Sequence, residues 1–292
     1  MTLMQAEGMV IKNYSGFYYV QDKQDDIYEC KVRGKLKEKL LSGDRVVFTP
    51  LENQKGILEK VLKRDNQLYR PRVANVTRVL IVMAYDQPQP DLMLLDRLLF
   101  LALYNRITPC IVLNKCDLAA DESANRILSY YPAYFEVFQT SARQNLGLEN
   151  LSSAITGEVA VLAGPSGTGK SSLLKLLTGR TEVRTGEVSA KIGRGRHTTR
   201  HVELFSLPQG GWVVDTPGFS VLDLPEIRRE ETVQYFPDFS GYADACKFGD
   251  CLHYRETECG VKTAVEEKKL LDSRYQNYLN MLEEIIAKER CY

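Results

Sequence analysis

The chain has no apolar run near the roughly 18 residues that a membrane-spanning helix needs, and its opening, MTLMQAEGMVIK, has no apolar signal-peptide core. A cytoplasmic chain without a membrane anchor is the expectation. Glycine (20) and proline (11) are too few among 292 residues for a collagen-like or low-complexity chain. Cysteine is sparse and odd in number, at seven, which does not suit a secreted disulfide scaffold. Internal repeats are absent. Net charge is absent too: Lys+Arg and Asp+Glu both number 38, so overall charge names no partner. What remains is 44% hydrophobic and 26% charged, the make-up of a globular protein, at a length that implies two or three domains.

The zero conceals an uneven distribution. Residues 1–72 hold 14 Lys/Arg against 10 Asp/Glu, and residues 219–292 hold 10 against 15. Between them, residues 180–201 carry Arg180, Arg184, Lys191, Arg194, Arg196 and Arg200 against Glu182 and Glu187. A short basic stretch among glycines can meet phosphate; charge alone fits a solvated loop better.

The first 70 residues read as short strands. GMVIKN, GFYYVQ, IYECKV, RVVFTP and GILEKVL are β-branched or aromatic runs separated by turn residues. Five such strands suit a small closed β-barrel, of which the OB-fold is the commonest. Tyr14, Phe17, Tyr18, Tyr19 and Tyr28 are either barrel core or base-stacking faces, and alternation prevents Phe17, Tyr18 and Tyr19 from sharing one side. LKRDNQLYRPR (62–72) reads as a linker.

The pattern then changes to buried strands alternating with helices: TRVLIVMA, a helix in DLMLLDRLLFLALYN, PCIVLNK, a helix near 121–131, FEVFQTSA, a helix near 147–155 and VAVLAG. This predicts an α/β domain with a parallel sheet covered on both faces. VELFSLP and WVVDTPG add two strands. Beyond residue 222 come clustered Cys and His and a polar helix from about 262 to 289. The expected boundaries are 1–68 for the barrel, 69–222 for the α/β domain and 223–292 for a mainly helical C-terminal domain.

GPSGTGKS (164–171) fits G-x-x-x-x-G-K-[ST] in full, after a buried strand and at the start of a helix. Gly164, Gly167 and Gly169 allow the backbone around Pro165, Ser166 and Thr168 to wrap closely, so that its N–H groups face phosphate oxygens. The helix N-terminus, with Ser172, adds its positive end. Lys170 is expected to reach the β- and γ-phosphates, and Ser171 to offer a hydroxyl to Mg²⁺.

Three further motifs end buried strands. DTPG (215–218) places Asp215 to hold Mg²⁺ through water and the Gly218 N–H to meet the γ-phosphate; NKCD (114–117) and TSA (140–142) end two others. Together with the phosphate loop they resemble a translational-type GTPase. The resemblance implies that Asp117 accepts from guanine N1 and N2, that Asn114 holds the loop and Lys115 lies along the ring, and that Ser141 and Ala142 meet O6. A carboxylate so placed would be left unpaired by adenine. NKCD and TSA precede the phosphate loop, the reverse of the usual order, so the G domain reads as circularly permuted. The DTPG loop then leads straight into the C-terminal domain, which a change at the γ-phosphate could move.

Cys246, Cys251, His253 and Cys259 supply four soft ligands within 14 residues. Cys₃His is a structural zinc set with no open position, expected to staple a segment too short for a large core of its own. Cys30, Cys110, Cys116 and Cys291 read as ordinary residues.

Barrel, permuted GTPase and Cys-x4-Cys-x-His-x5-Cys together resemble the RsgA (YjeQ/YloQ) family of ribosome small-subunit-dependent GTPases over essentially the whole chain. RPRVANV (70–76) and GRGRHTTR (193–200) fit it as well. The resemblance implies a late maturation factor of the small ribosomal subunit. It implies rRNA contacts by the OB-fold and zinc domains, GTP and GDP as ligands, and turnover stimulated by the subunit. Phe219 stands where many GTPases place a water-orienting Gln, so intrinsic turnover is expected to be slow. The resemblance makes His197 the water-positioning candidate, with an RNA or phosphate contact as the alternative, and makes Thr198 or Thr199 the switch I threonine. A monomer is the default. A nucleotide-gated RNA-binding module with negligible turnover and a generic P-loop ATPase are the competing readings; Asp117 argues against the second.

Overall fold

The computed structural model describes residues 5–14, 16–32, 34, 39–69, 72–180, 202–215 and 222–290. In chain order the strands are β1 (Ala6–Tyr14), β2 (Phe17–Asp22), β3 (Ile27–Val32), β4 (Arg45–Leu51), β5 (Lys55–Val61), β6 (Gln67–Tyr69), β7 (Arg72–Ala74), β8 (Arg78–Ala84), β9 (Thr108–Asn114), β10 (Glu136–Gln139), β11 (Val159–Ala163), β12 (Glu203–Ser206) and β13 (Trp212–Asp215). The helices are α1 (Leu92–Tyr104), α2 (Glu122–Tyr130), α3 (Leu148–Ala154), α4 (Lys170–Thr178), α5 (Ser240–Ala243), α6 (Gly260–Glu266) and α7 (Asp272–Glu289). They form two compact units.

The first unit comprises Met1–Val79, Leu148–Ala163 and Lys170–Ser220. Its strands β1-β2-β3-β5-β4 close on themselves through β4–β1 pairing, with β3 and β5 parallel: the five-stranded OB-fold barrel. Alternation sends Val10, Val20, Cys30, Val46, Phe48 and Leu58 inward, where all are buried. Of Tyr14, Phe17, Tyr18, Tyr19 and Tyr28, Tyr18 and Tyr28 pack against this core, Tyr28 at 5.0 Å from the Phe48 ring. Phe17 and Tyr19 are half-buried beneath Lys31 and Lys12, and Tyr14 is exposed.

The segment read as a linker is a β6–β7 hairpin instead. Leu68 and Val73 are buried, and two asparagines fasten its ends. Asn66 exchanges hydrogen bonds with Val76 at 2.6 and 3.0 Å, and Asn75 bridges Asp65 N and Gly43 O. Polar composition suggested a spacer; side-chain-to-backbone bonds hold the strands. The same unit holds β11 parallel to β13, with β12 antiparallel to β13. Strand β12 runs antiparallel because the β12–β13 connection, closed by Leu207 N–H to Gly211 O at 2.9 Å, is too short for a crossover.

The second unit comprises Leu80–Gly147, Gly164–Gly169 and Val221–Tyr292. Its strands run in the order β10-β9-β8, with β9 and β10 parallel and β9 buried from its second residue to its last. The C-terminal helices share one core with α1, including Phe100, Phe236, Phe239, Tyr278, Met281, Leu282 and Ile285. The single polar helix expected from about 262 to 289 is two helices, α6 and α7. Lys268 adopts φ 59° and the Lys269 and Leu270 N–H groups both turn back to Ala264 O, which ends α6 and buries Leu270.

Candidate nucleotide site and metal centre

Strand β9 delivers Asn114, 1% exposed, to the centre of the candidate site. Its Nδ2 donates to Thr168 O at 2.8 Å, while its Oδ1 accepts from Ala142 N at 3.1 Å and Thr140 Oγ1 at 3.2 Å. One side chain therefore joins NKCD, TSA and the phosphate loop, and all its hydrogen-bonding capacity except one amide proton is directed at protein. Ser141 Oγ donates to Asp117 Oδ1 at 2.6 Å, and that bond holds the Asp117 carboxyl below its ordinary range. Ser141 is itself buried and fixed by paired backbone bonds with Leu146 at 3.0 and 3.1 Å. Lys115 adopts φ 64° and donates through Nζ to Gln87 O.

Gly164 and Gly169 have φ of 118° and 94°, which L side chains rarely adopt. A Cβ would lie 2.2 Å from Val82 O at Gly164 and 2.3 Å from Asn114 Nδ2 at Gly169. Thr168 Oγ1 donates to Pro165 O at 3.1 Å, closing the loop on itself, and Ser166 and Gly167 are exposed. Lys170 opens α4, and burial pushes its ammonium pKa down. Ser171 and Ser172 are exposed in the first turn. Asp215 closes β13, where only its backbone is described; His197, Thr198, Thr199, Gly218 and Phe219 lie outside the described residues.

The structure also brings Thr140, Gln87 and Pro88 to the site, to none of which the sequence analysis gave a role. Thr140 was legible as the first letter of TSA; Gln87 and Pro88 follow a buried strand in YDQPQP, a loop signal without a known role.

The four candidate metal ligands converge, with their ligand atoms all within 4.8 Å of one another. His253 Nδ1 lies 3.5 Å from Cys246 Sγ and 3.3 Å from Cys259 Sγ, and those two sulfurs are 3.9 Å apart. Tetrahedral zinc with ordinary bond lengths sets S···S at about 3.8 Å and S···N at about 3.5 Å, so these residues fit the ion. Burial pushes the Cys251 thiol up to about 12 and His253 down, so in this pocket the thiolates call for a cation. The His253 and Gly260 N–H groups donate to Cys251 and Cys246 sulfurs at 3.4 and 3.3 Å. An outer layer absent from the sequence reading holds the ligand loop. Glu256 accepts from Leu252 N and Tyr254 N at 2.9 and 2.8 Å, while the Tyr275 and Tyr278 hydroxyls donate to His253 O and Leu252 O at 2.8 and 2.6 Å. Burial would raise the Glu256 pKa, but the backbone donors keep it low.

Two family models cover most of the chain: the RsgA N-terminal domain over residues 7–58 and the RsgA GTPase over residues 61–225. The chain belongs to the RsgA GTPase family. It is 47% identical to the small ribosomal subunit biogenesis GTPase RsgA of Carboxydothermus hydrogenoformans, across 97% of this chain and 99% of that one. The Moorella thermoacetica RsgA is 45% identical across 98% and 99%. Among solved structures, YjeQ from Thermotoga maritima superposes with a TM-score of 0.82 at 36% identity, across 97% and 99% of the two chains. YloQ, described as a circularly permuted GTPase, superposes at 0.81 and 36%, across 98% and 96%. As an RsgA GTPase the chain is a GTP-hydrolysing enzyme, and its motif order is that of the permuted fold.

Proposed function

We propose that this GTPase acts in late maturation of the small ribosomal subunit, binding rRNA and hydrolysing GTP when engaged by the subunit. The observation that carries the nucleotide assignment is Asn114, whose one side chain ties both guanine motifs to the phosphate loop. The proteins it resembles are named for small-subunit biogenesis, which supports the partner.

In this reading Asp117 accepts from guanine N1 and N2, Lys115 lies along the base, and Ser141 and Ala142 face O6. Gly164, Pro165, Ser166, Gly167, Thr168 and Gly169 present backbone N–H groups to the phosphates, Lys170 adds a cation and Ser172 extends the helix start. Ser171, Asp215 and one of Thr198 and Thr199 would hold Mg²⁺, which when bound neutralises charge on the β- and γ-oxygens. His197 orients the water that attacks the γ-phosphorus, and the Gly218 N–H meets the γ-phosphate. Cys246, Cys251, His253 and Cys259 hold structural zinc. The chain works as a cytoplasmic monomer with a barrel at 1–68, the G domain at 69–222 and the zinc-binding domain at 223–292.

The test is GTP turnover by the purified chain at fixed Mg²⁺, alone and with small or large ribosomal subunits, with ATP as competitor. Stimulation by the small subunit alone, lost in His197→Ala and unaffected by ATP, supports the reading. Tight GTP binding without stimulation would sink it and favour a nucleotide-gated RNA-binding module, the role Phe219 points toward.

A further inference from the structure

A buried ionic cluster in the second unit lies outside every nucleotide and metal motif. Arg274 on α7 is 1% exposed, Asp96 on α1 is 0% and Asp238 is 2%. Arg274 Nη1 donates to Asp96 Oδ1 at 2.7 Å, and its Nε and Nη2 form a fork on Asp238, both at 3.1 Å. Asp96 also accepts from Tyr131 Oη at 2.7 Å and Asn277 Nδ2 at 2.6 Å; Asp238 accepts from Tyr130 Oη at 2.8 Å. The guanidinium lies 4.4 Å from the Phe236 ring centroid. Two carboxylates face one cation, so each neutral donor matters. A cluster of this kind adds little stability over an apolar core; its paired donors and acceptors tie together the elements that carry them.

Those elements lead to the guanine motifs. Asp96 lies in the second turn of α1, whose N-cap, Asp91, accepts from Leu94 N at 3.0 Å. The loop before that cap bonds to one motif and lies beside a second. Gln87 O accepts from Lys115 Nζ, and Pro88 Cδ would lie 3.6 Å from a Cβ on Gly167. Gln87 and Lys115 both adopt left-handed φ, 51° and 64°, a conformation that surrounding structure has to impose. Tyr130 is the last residue of α2 and Tyr131 its C-cap, and Asp121 N, at the N-cap of the same helix, donates to Tyr85 O at 3.1 Å. Arg274 thus holds both segments that flank the guanine loop.

We propose that Arg274 is a positioning residue for guanine-nucleotide binding. Through Asp96 it fixes α1 and the Gln87 carbonyl that holds Lys115, and through Asp238 and Tyr130 it fixes α2. The inference rests on the proposed role of Lys115.

The experiment uses the full, zinc-loaded chain and fluorescent GDP titrations of Arg274→Lys, Tyr131→Phe, Lys115→Met and the Arg274→Lys/Lys115→Met double variant. Far-UV circular dichroism and zinc content verify the fold. Arg274→Lys keeps the charge and loses the fork; Tyr131→Phe removes one hydroxyl and is the milder variant should the first not fold. The expected result is a Kd for GDP raised about tenfold in Arg274→Lys and roughly threefold in Tyr131→Phe. Lys115→Met should weaken GDP in the parent chain but cost much less in the Arg274→Lys background, a non-additivity that general destabilisation would not produce. An unchanged Kd in a folded, zinc-loaded variant, or full additivity, overturns the proposal. If Lys115→Met itself leaves GDP affinity unchanged, the Lys115 assignment fails, and this inference with it.

Discussion

Single atoms decide the geometry of the candidate site. The Gly169 Cα leaves no room for a side chain, because a Cβ would lie 2.3 Å from Asn114 Nδ2. Gly169→Ala must shift either the phosphate loop or Asn114, and the backbone strain alone is about 1–3 kcal/mol. GDP affinity is expected to fall about 5- to 150-fold, measured by titration with the fold verified; an unchanged affinity would mean that Asn114 does not brace the loop. Lys170 gives a second prediction. Burial lowers its pKa from the ordinary 10.5, so the cost of burying the charge applies in full at neutral pH and is lost as pH rises from the lowered value to 10.5. Stability of the nucleotide-free chain should gain from this group on the alkaline side. Phosphates favour the charged form, so GDP binding between the lowered value and 10.5 should take up a proton. Calorimetry in buffers of different ionisation enthalpy would detect that proton, and Lys170→Met should abolish it. The candidate residues could be named from the sequence because each motif carries its own chemistry. The partners were less so: nothing local to NKCD shows that Asn114 would reach Thr168, 54 positions on.

At the scale of elements, periodicity located most strands and helices, and its failures have physical causes. The β6–β7 hairpin reads as polar linker because its fastening comes from Asn66 and Asn75, whose side chains substitute for longer ladders. The break between α6 and α7 was hidden because Lys268 and Lys269 look like helix surface; the need to bury Leu270 turns the chain there. The candidate metal centre could be named as four spaced ligands, but Tyr275 and Tyr278, which hold its loop from α7, lie 16 and 19 positions beyond Cys259. That outer layer carries a prediction. Cys251 and Cys259 belong to the same core as Phe239, Tyr278 and Met281, so removing the ion should loosen α7 as well as the ligand loop. Chelation under native conditions is expected to release one zinc per chain and to accelerate amide exchange across 251–259 and 275–282, leaving the barrel strands unchanged. Exchange confined to the ligand loop would show that α7 stands without the metal.

For the whole molecule, the motif order is the informative feature. Permutation places NKCD and TSA before the phosphate loop and DTPG immediately ahead of the C-terminal segment. The permutation was therefore readable from four short motifs, whereas the Arg274 cluster was not, because its residues are scattered from 96 to 277 and its charged members look like surface. If GTP hydrolysis is what releases the chain from the subunit, thermodynamic linkage fixes the sizes of two effects. The GTP-bound chain must bind the small subunit more tightly than the GDP-bound chain by some factor. The subunit must then raise the preference for GTP over GDP by that same factor. A coupling of about 5- to 150-fold is the usual range. It can be measured from both sides: subunit affinity with a non-hydrolysable GTP analogue against GDP, and the affinities of both nucleotides with and without saturating subunits. Equal factors close the cycle. If the two nucleotide forms bind the subunit equally well, hydrolysis supplies no free energy for release, and the enzyme must leave by some route other than spending its GTP.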